Sequence, residues 1–146
     1  MKNLFIILAV ITGLTACQTA DKKATGSLTQ EEKEKIIKDS SSYTTIEWLD
    51  STFRDLGKVK AGQVVEVSYR FKNTGTKQLV IADVSAQCGC TVPEKPEEPI
   101  APGAEGVIKA KFDSKGRSGV NQKEVYVTSN TVEHRQTLIF SVEITD

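Results

Sequence analysis

The chain is poor in the side chains on which most active sites and metal centres depend. Its 146 residues include one histidine, one methionine, one tryptophan and three cysteines. A single histidine, with no evident pair of carboxylates to replace it, leaves little apparatus for general acid–base catalysis. A structural zinc ion needs four protein ligands, which this composition does not readily supply. The sequence therefore predicts a protein that is not an enzyme.

An excess of charge of one sign is also missing, because 19 Lys and Arg side chains balance 19 Asp and Glu side chains. Proteins that bind nucleic acids, and membrane anchors of the polybasic kind, carry a clear positive excess. Loss of Lys2 with a leader segment would leave 18 basic side chains against 19 acidic ones, so the balance hardly changes. We therefore expect no nucleic-acid partner.

Long apolar runs are absent except at the N-terminus. Met1-Lys2-Asn3 precedes the apolar run 4–13, which is followed by Leu14-Thr15-Ala16-Cys17. One positive charge, a short apolar run and small residues before a break are typical of a secretory signal peptide, and the run is too short to span a bilayer. The last four residues resemble a bacterial lipobox, in which cleavage precedes the cysteine and the cysteine carries lipid. The sequence predicts that residues 1–16 are a signal peptide and that Cys17 is lipidated.

The residues after Cys17 bear on which membrane holds the protein. Several acyl chains on one cysteine give a stable anchor. The next residue is Gln18 rather than Asp, so retention in the inner membrane is not signalled, and Thr19–Lys23 lacks a clear acidic run that would signal surface export. We expect a lipoprotein of the cell envelope that is anchored in the outer membrane and faces the periplasm.

Residues 17–44 are polar and are predicted to form a tether between the lipid and a folded domain. Within them, Thr29-Gln30-Glu31-Glu32 has the spacing of a helix capping box. Only Ile36 and Ile37 are strongly apolar in the stretch that follows. We therefore expect one or two marginal helical turns that bury little surface.

Residues 45–146 show the alternation of apolar and polar side chains that is typical of β-strands. Six segments stand out: Ile46–Trp48, Val65–Lys72, Leu79–Val84, Val107–Phe112, Val125–Thr128 and Leu138–Ile144. Six or seven short strands in about 100 residues, with few helical patterns, predict a single all-β domain with the fold of an antiparallel β-sandwich. The proline-spaced stretch 93–99 predicts a stiff exposed connection rather than a central strand.

Several motifs of this domain resemble, in their order, those of one known family. They are Phe71-Lys72-Asn73-Thr74-Gly75, Leu79-Val80-Ile81, Cys88-Gly89-Cys90-Thr91, Pro99-Ile100-Ala101-Pro102-Gly103 and Phe112-Asp113. From about Phe53 to Asn130 the chain is similar to the domain of unknown function 1573 family, which is common in secreted and lipid-anchored proteins of the Bacteroidetes. The resemblance implies an immunoglobulin-like sandwich, related in shape to domains that often serve as binding modules. It implies no established reaction.

Cys88 and Cys90 are the only cysteines that keep a free side chain once Cys17 carries lipid, and three interpretations of them stay open. The first is a disulfide between them, which Gly89 permits because glycine allows a tight turn. Such a bond closes almost no loop and adds little stability. Strain in so small a ring suits redox exchange with a partner thiol better than structural stapling.

The second interpretation is a metal site in which the thiolates of Cys88 and Cys90 bind Cu(I), the only cofactor that the sequence suggests. His134 is the single histidine, and nothing in the sequence places it near Cys88. The third interpretation is structural, with two small residues packed where a strand ends. The sequence thus predicts an envelope protein that binds an unidentified envelope partner, with copper handling or thiol exchange through the two cysteines as the alternative.

Overall fold

The computed structural model describes residues 27–146, so the predicted signal peptide and Cys17 lie outside the described residues. Helix α1 (Gln30–Lys38) and a 3₁₀ turn (Ser40–Ser42) come first. No helix in the described range is long and apolar enough to cross a membrane. Eight strands follow: β1 (Ile46–Trp48), β2 (Phe53–Lys60), β3 (Val64–Asn73), β4 (Ile81–Ala86), β5 (Thr91–Glu94), β6 (Glu105–Asp113), β7 (Gly119–Ser129) and β8 (Arg135–Thr145).

The strands form two four-stranded sheets packed face to face. The first sheet has the strand order β1-β3-β6-β5 and the second has the order β2-β8-β7-β4. Alternate side chains of the long strands point between the sheets, where Tyr69, Phe71, Phe112 and Phe140 are fully buried. Phe112 of the first sheet meets Phe140 of the second edge to face, with ring centroids 5.8 Å apart. The prediction of an all-β sandwich is confirmed.

One strand pair departs from the predicted antiparallel arrangement. β2 lies parallel to β8, with Phe53 opposite Ile139 and Lys60 opposite Thr145, whereas the other pairs of named strands are antiparallel. β1 and β2 follow each other in the chain but belong to different sheets, because the chain changes sheets at residues 49–52. Strands β3 to β7 then supply the long connection that a parallel pair requires. The prediction of a wholly antiparallel sandwich is wrong at this edge.

The sequence pattern predicts neither β2 nor β5, and both are edge strands. β2 carries four charged side chains, and its register shifts between Asp55 and Lys58, where Gly57 has a φ of 68°. β5 contains Pro93, which lacks the N–H group that a central strand would use. An edge strand pairs on one side only and buries less side-chain surface than a central strand. It can therefore carry charged residues, bulges and proline, which weaken the alternation of apolar and polar side chains.

The predicted tether is ordered against the sandwich over the part that the structure describes. The capping box is present, since Thr29 Oγ1 accepts from Glu32 N at 3.3 Å and Glu32 Oε2 accepts from Thr29 N at 2.8 Å. α1 packs beside β4, and Lys33 on its inner side is 2% exposed. The helix is therefore longer than the marginal turns expected, because contacts with the sandwich stabilise it.

Two buried asparagines connect the end of this segment to the two sheets. Asn130 Nδ2 donates to the carbonyl oxygen of Ser42 at 2.7 Å, and Asn130 Oδ1 accepts from Val80 N at 2.7 Å. In the other sheet, Thr44 Oγ1 lies 2.9 Å from Asn73 Oδ1. A buried polar group left without a partner costs about 1–3 kcal/mol, so these amides fix the loops around them. The few residues before β1 thus belong to the folded unit.

Candidate functional site

The segment Cys88-Gly89-Cys90 is the crossover from the second sheet to the first. β4 ends at Ala86 in one sheet and β5 begins at Thr91 in the other. A disulfide joins Cys88 to Cys90, whose Cα atoms are 5.3 Å apart. Thr91 N donates to Cys88 O at 3.2 Å and closes the turn around Gly89. The fold therefore presents the two sulfur atoms at one end of the sandwich.

Hydrogen bonds to both sheets hold this crossover loop in place. Asp113 N, at the end of β6, donates to Cys90 O at 2.9 Å, and Gln87 N donates to Glu124 O of β7 at 3.2 Å. Thr91 is 4% exposed, and its hydroxyl oxygen lies 3.9 Å from each sulfur atom. The position of the disulfide is thus set by strands on either side of it.

The two cysteines differ in their surroundings although both are half-buried. Cys90 packs against the hydrophobic core, whereas Cys88 is not among the core's neighbours within residues 27–146. Gly89 is exposed, and a Cβ atom added to it would meet no other atom within 4 Å. A molecule that approaches the loop therefore finds open space next to Gly89, and packed side chains behind Cys90.

Two cationic side chains lie over the core at the same end of the sandwich. Arg117 Cζ is 5.9 Å and Lys123 Nζ is 5.8 Å from the ring centroid of Phe112, which stands opposite Thr91 in the β5–β6 pair. Within the part of the chain that the structure describes, neither cation forms an ion pair with an Asp or Glu side chain. Positive charge in the surroundings of a cysteine favours its thiolate form. This end of the sandwich can therefore stabilise negative charge.

A second charged cluster joins α1 to the connection that follows β5. Glu97 Oε2 lies 3.3 Å from Lys33 Nζ and 3.4 Å from Lys95 Nζ, and the Lys33 side chain is only 3% exposed. The hydrogen bond from Lys33, together with the charge on Lys95, holds the pKa of Glu97 below its usual value. The pKa of Lys95 is lowered too, because its partial burial and the nearby Lys33 outweigh the attraction of Glu97. Two ammonium groups thus share one carboxylate, which holds the helix to this connection.

A shallow cavity of about 350 Å³ lies beside this cluster. Lys95 and Pro96 line it from the connection, and Val107 and Lys109 line it from β6. Glu94, also in the lining, accepts a hydrogen bond from Lys111 at 2.7 Å, and this bond lowers the pKa of Glu94. The lining offers ionic and apolar contacts to a ligand, and it includes neither a histidine nor a cysteine.

His134 lies far from the disulfide. It belongs to the turn between β7 and β8, and its Nε2 lies 3.1 Å from the hydroxyl oxygen of Tyr43. β4 starts beside Ser129, near this turn, and ends at the crossover loop, so the length of a strand separates His134 from Cys88. The structure brings the two cysteines together and leaves His134 apart. Among residues 27–146, no group of three or more His, Cys, Asp or Glu side chains could hold a metal ion.

Lys33, in the charged cluster with Glu97 and Lys95, is not among the site residues predicted from the sequence. Its position, three and four residues before Ile36 and Ile37, places all three side chains on one face of a helix. That spacing is the signal that could have identified the buried face of α1. The contact of Lys123 with Phe112 has no comparable local signal, because it depends on how β6 and β7 are brought together.

The family of this chain follows from its strands and motifs taken together. The model of a family described as protein of unknown function (DUF1573) matches residues 46–144. The chain belongs to this family. The match begins with β1 and extends into β8, and it confirms the resemblance carried by the ordered motifs. No curated protein matches this DUF1573 chain.

Solved structures share the fold of this DUF1573 domain at low sequence identity. A protein of unknown function from Porphyromonas gingivalis W83 is 15% identical with a TM-score of 0.62, over 72% of this chain and 49% of that one. The ASH/PapD-like domain 7 of human CEP192 is 10% identical with a TM-score of 0.59, over 72% and 88% of the two chains. The secreted serine protease VesC of Vibrio cholerae is 13% identical with a TM-score of 0.52, over 75% and 25%. The chain spans about half the length of the Porphyromonas structure, and these likenesses establish the sandwich fold alone.

Proposed function

We propose that this DUF1573 protein is a lipid-anchored protein of the cell envelope that binds an envelope protein partner and catalyses no reaction by itself. The anchor rests on the Leu14-Thr15-Ala16-Cys17 motif. The observation that carries the binding role is the crossover loop, which is held by both sheets at the end of the sandwich where Arg117 and Lys123 extend over Phe112 and form no ion pair within residues 27–146. A fixed loop at the end of a sandwich is a common contact surface.

The sheet edges support this choice of surface, because each of them is poorly suited to the addition of a partner's strand. β1 has three residues, β2 is interrupted by its register shift, and β4 has α1 beside it. Just before β5, the carbonyl oxygen of Cys90 accepts a hydrogen bond from Asp113 N of β6. By alternation along the strand, Pro93 of β5 turns its main chain to the free edge, where it has no N–H to donate. Short, bulged, covered or proline-bearing edges resist pairing with another chain.

Crosslinking in intact cells tests the binding surface. A photoreactive amino acid is placed at Gly89, where the surroundings are open, and in a matched variant at Val132, which is 81% exposed near the opposite end. We expect a reproducible protein adduct from position 89 and none from position 132. Equal adducts from both positions, or none from position 89, would contradict the proposed surface.

The neighbouring sulfur atoms also make Cu(I) handling a second candidate function, since two thiolates are ligands that Cu(I) prefers. This role requires prior reduction, because Cys88 and Cys90 are bonded to each other. Titration of the reduced full chain with Cu(I), in the presence of a competing chelator, tests the idea. One bound copper ion in the wild type and none in a variant with both cysteines changed to serine would support it, and identical binding curves would exclude it.

A further inference from the structure

The disulfide has one sulfur that a nucleophile can reach more easily than the other. Cys90 packs on the core, and its carbonyl oxygen is held by Asp113 N. Cys88, by contrast, is not among the side chains that pack against the core within residues 27–146. Thiol–disulfide exchange requires a thiolate to reach the sulfur that it attacks, so access decides between the two atoms. Access is better at Cys88.

The sulfur that leaves must be stabilised as a thiolate, and the structure places two cations over Phe112 at the disulfide end of the sandwich. The crossover loop is hydrogen-bonded to Asp113 on one side and to Glu124 on the other. Arg117 and Lys123 lie on the stretch of chain between those two residues and both extend over Phe112, next to Thr91. Nearby cations lower the pKa of a thiol, and a thiol of lower pKa leaves faster.

We propose that the disulfide accepts two electrons from a dithiol of a partner protein, with attack at Cys88 and departure of Cys90. The partner's first thiolate bonds to Cys88 Sγ, the bond between Cys88 and Cys90 breaks, and its electron pair leaves on Cys90 Sγ. The partner's second thiol loses its proton, attacks the partner's own sulfur in the mixed disulfide and releases Cys88. The partner ends as a disulfide, and Cys88 and Cys90 end as thiols that carry the two protons.

This exchange goes beyond the binding role, and it uses the same end of the molecule. Arg117 and Lys123 are positioning residues in it, because they act through the charge of Cys90 and not on the partner's sulfur. Thr91, whose hydroxyl oxygen lies 3.9 Å from Cys90 Sγ, can donate a weak hydrogen bond to the thiolate that forms.

Mapping of the mixed disulfide tests the direction of attack. The oxidised full chain is mixed briefly with reduced glutathione and quenched with an alkylating reagent, and peptide mass spectrometry then locates each modification. We expect glutathione on Cys88 and the alkyl group on Cys90 in about tenfold excess over the reverse arrangement. Equal amounts of the two species, or an excess of glutathione on Cys90, would overturn the proposal.

Removal of charge tests the stabilisation of the leaving thiolate. Arg117→Gln combined with Lys123→Gln should slow reduction by dithiothreitol by roughly threefold or more. Lys72→Gln combined with Lys77→Gln removes the same charge near the opposite end and should leave the rate unchanged. Urea unfolding of both double variants establishes that they are folded. Equal reduction rates in the two double variants would overturn the role of the cations.

Discussion

At the scale of the residue, Asp50 shows how one carboxyl group fixes the turn by which the chain changes sheets. Arg70 Nη2 lies 2.9 Å from Asp50 Oδ1, and Arg70 N donates to Asp50 Oδ2 at 2.8 Å. These hydrogen bonds lower the pKa of Asp50 to about 2. Asp50 lies between β1 and β2, so its ion pair with Arg70 holds the segment between these two strands against β3.

The lowered pKa of Asp50 predicts a particular dependence of stability on pH. A carboxyl group whose pKa is lower in the folded state stabilises the fold above its unfolded pKa, and this contribution is lost as pH falls through the folded value. For Asp50 the window runs from about pH 4 to about pH 2. Between these two pH values, the unfolding free energy of Asp50→Asn should fall less than that of the wild type. The expected difference is roughly 1 kcal/mol, because solvent screens the exposed Arg70. Urea unfolding at both ends of the window measures the difference.

The control for this prediction is Asp83→Asn, which changes an exposed carboxyl group of β4. It should leave the pH dependence of the wild type unchanged. If Asp50→Asn and the wild type lose the same unfolding free energy over the window, the ion pair does not stabilise the fold.

Gly106 of β6 provides a second test, through packing. A Cβ atom at this position would lie 3.0 Å or less from three ring atoms of Phe71. Phe71 is fully buried and meets Trp48 edge to face, with centroids 5.6 Å apart, so its ring has little room to move. Gly106→Ala should destabilise the domain by about 1–3 kcal/mol in urea unfolding. Gly89→Ala, whose methyl group enters open space, should change stability by less than about 0.5 kcal/mol, and equal effects of the two variants would contradict this packing.

Single-residue roles are predictable from sequence when the partner is near in the chain. The capping pair of Thr29 and Glu32 spans three residues and is confirmed. Asn130, by contrast, binds the carbonyl oxygen of Ser42 across 88 positions, and its sequence neighbourhood indicates only a turn. Its role depends on the packing of the whole domain, which local patterns do not contain.

At the scale of the element, α1 depends on a buried charge. Glu97→Gln removes the carboxylate shared by Lys33 and Lys95, and it leaves the buried ammonium group of Lys33 without a full counter-charge. We expect α1 to separate from the sandwich more often, so that amide protons of residues 30–38 exchange at least about tenfold faster. Hydrogen exchange followed by mass spectrometry measures this change.

Two further variants make the test of α1 specific. Glu98→Gln changes the adjacent exposed carboxyl group and should leave exchange in α1 unchanged. Lys33→Met combined with Glu97→Gln keeps an unbranched apolar side chain while removing the buried charge, and it should restore protection. If Glu97→Gln and Glu98→Gln behave alike, the ion pair is not what holds the helix.

Strands were predictable to the extent that they bury one face. The alternation of Val65 to Lys72 locates β3, because that strand has paired neighbours on both sides and core on one face. β2 and β5 pair on one side only and contain charges, a bulge or Pro93, so their patterns are weak. The parallel pairing of β2 with β8 could not be predicted either, since it follows from the change of sheet at residues 49–52.

At the scale of the whole molecule, the sandwich has two ends that differ in structure. Residues 42–44 join the domain at the end where Asn73 and Asn130 are buried. The opposite end carries the Cys88–Cys90 disulfide with Arg117 and Lys123 over the core. The described part of the connection that leads into β1 therefore lies away from the disulfide end. The DUF1573 family is described as proteins of unknown function, so membership assigns no role to either end.

We propose that the protein is anchored through a lipid on Cys17 and exposes an oxidised cysteine pair in the cell envelope. The most direct test is a count of thiols in the full chain from acid-quenched cells, alkylated before and after reduction and located by mass spectrometry. We expect no alkylated cysteine before reduction, and alkylation of Cys88 and Cys90 but not Cys17 after it. Free thiols at Cys88 and Cys90 before reduction, or an alkylated Cys17 in either sample, would contradict it.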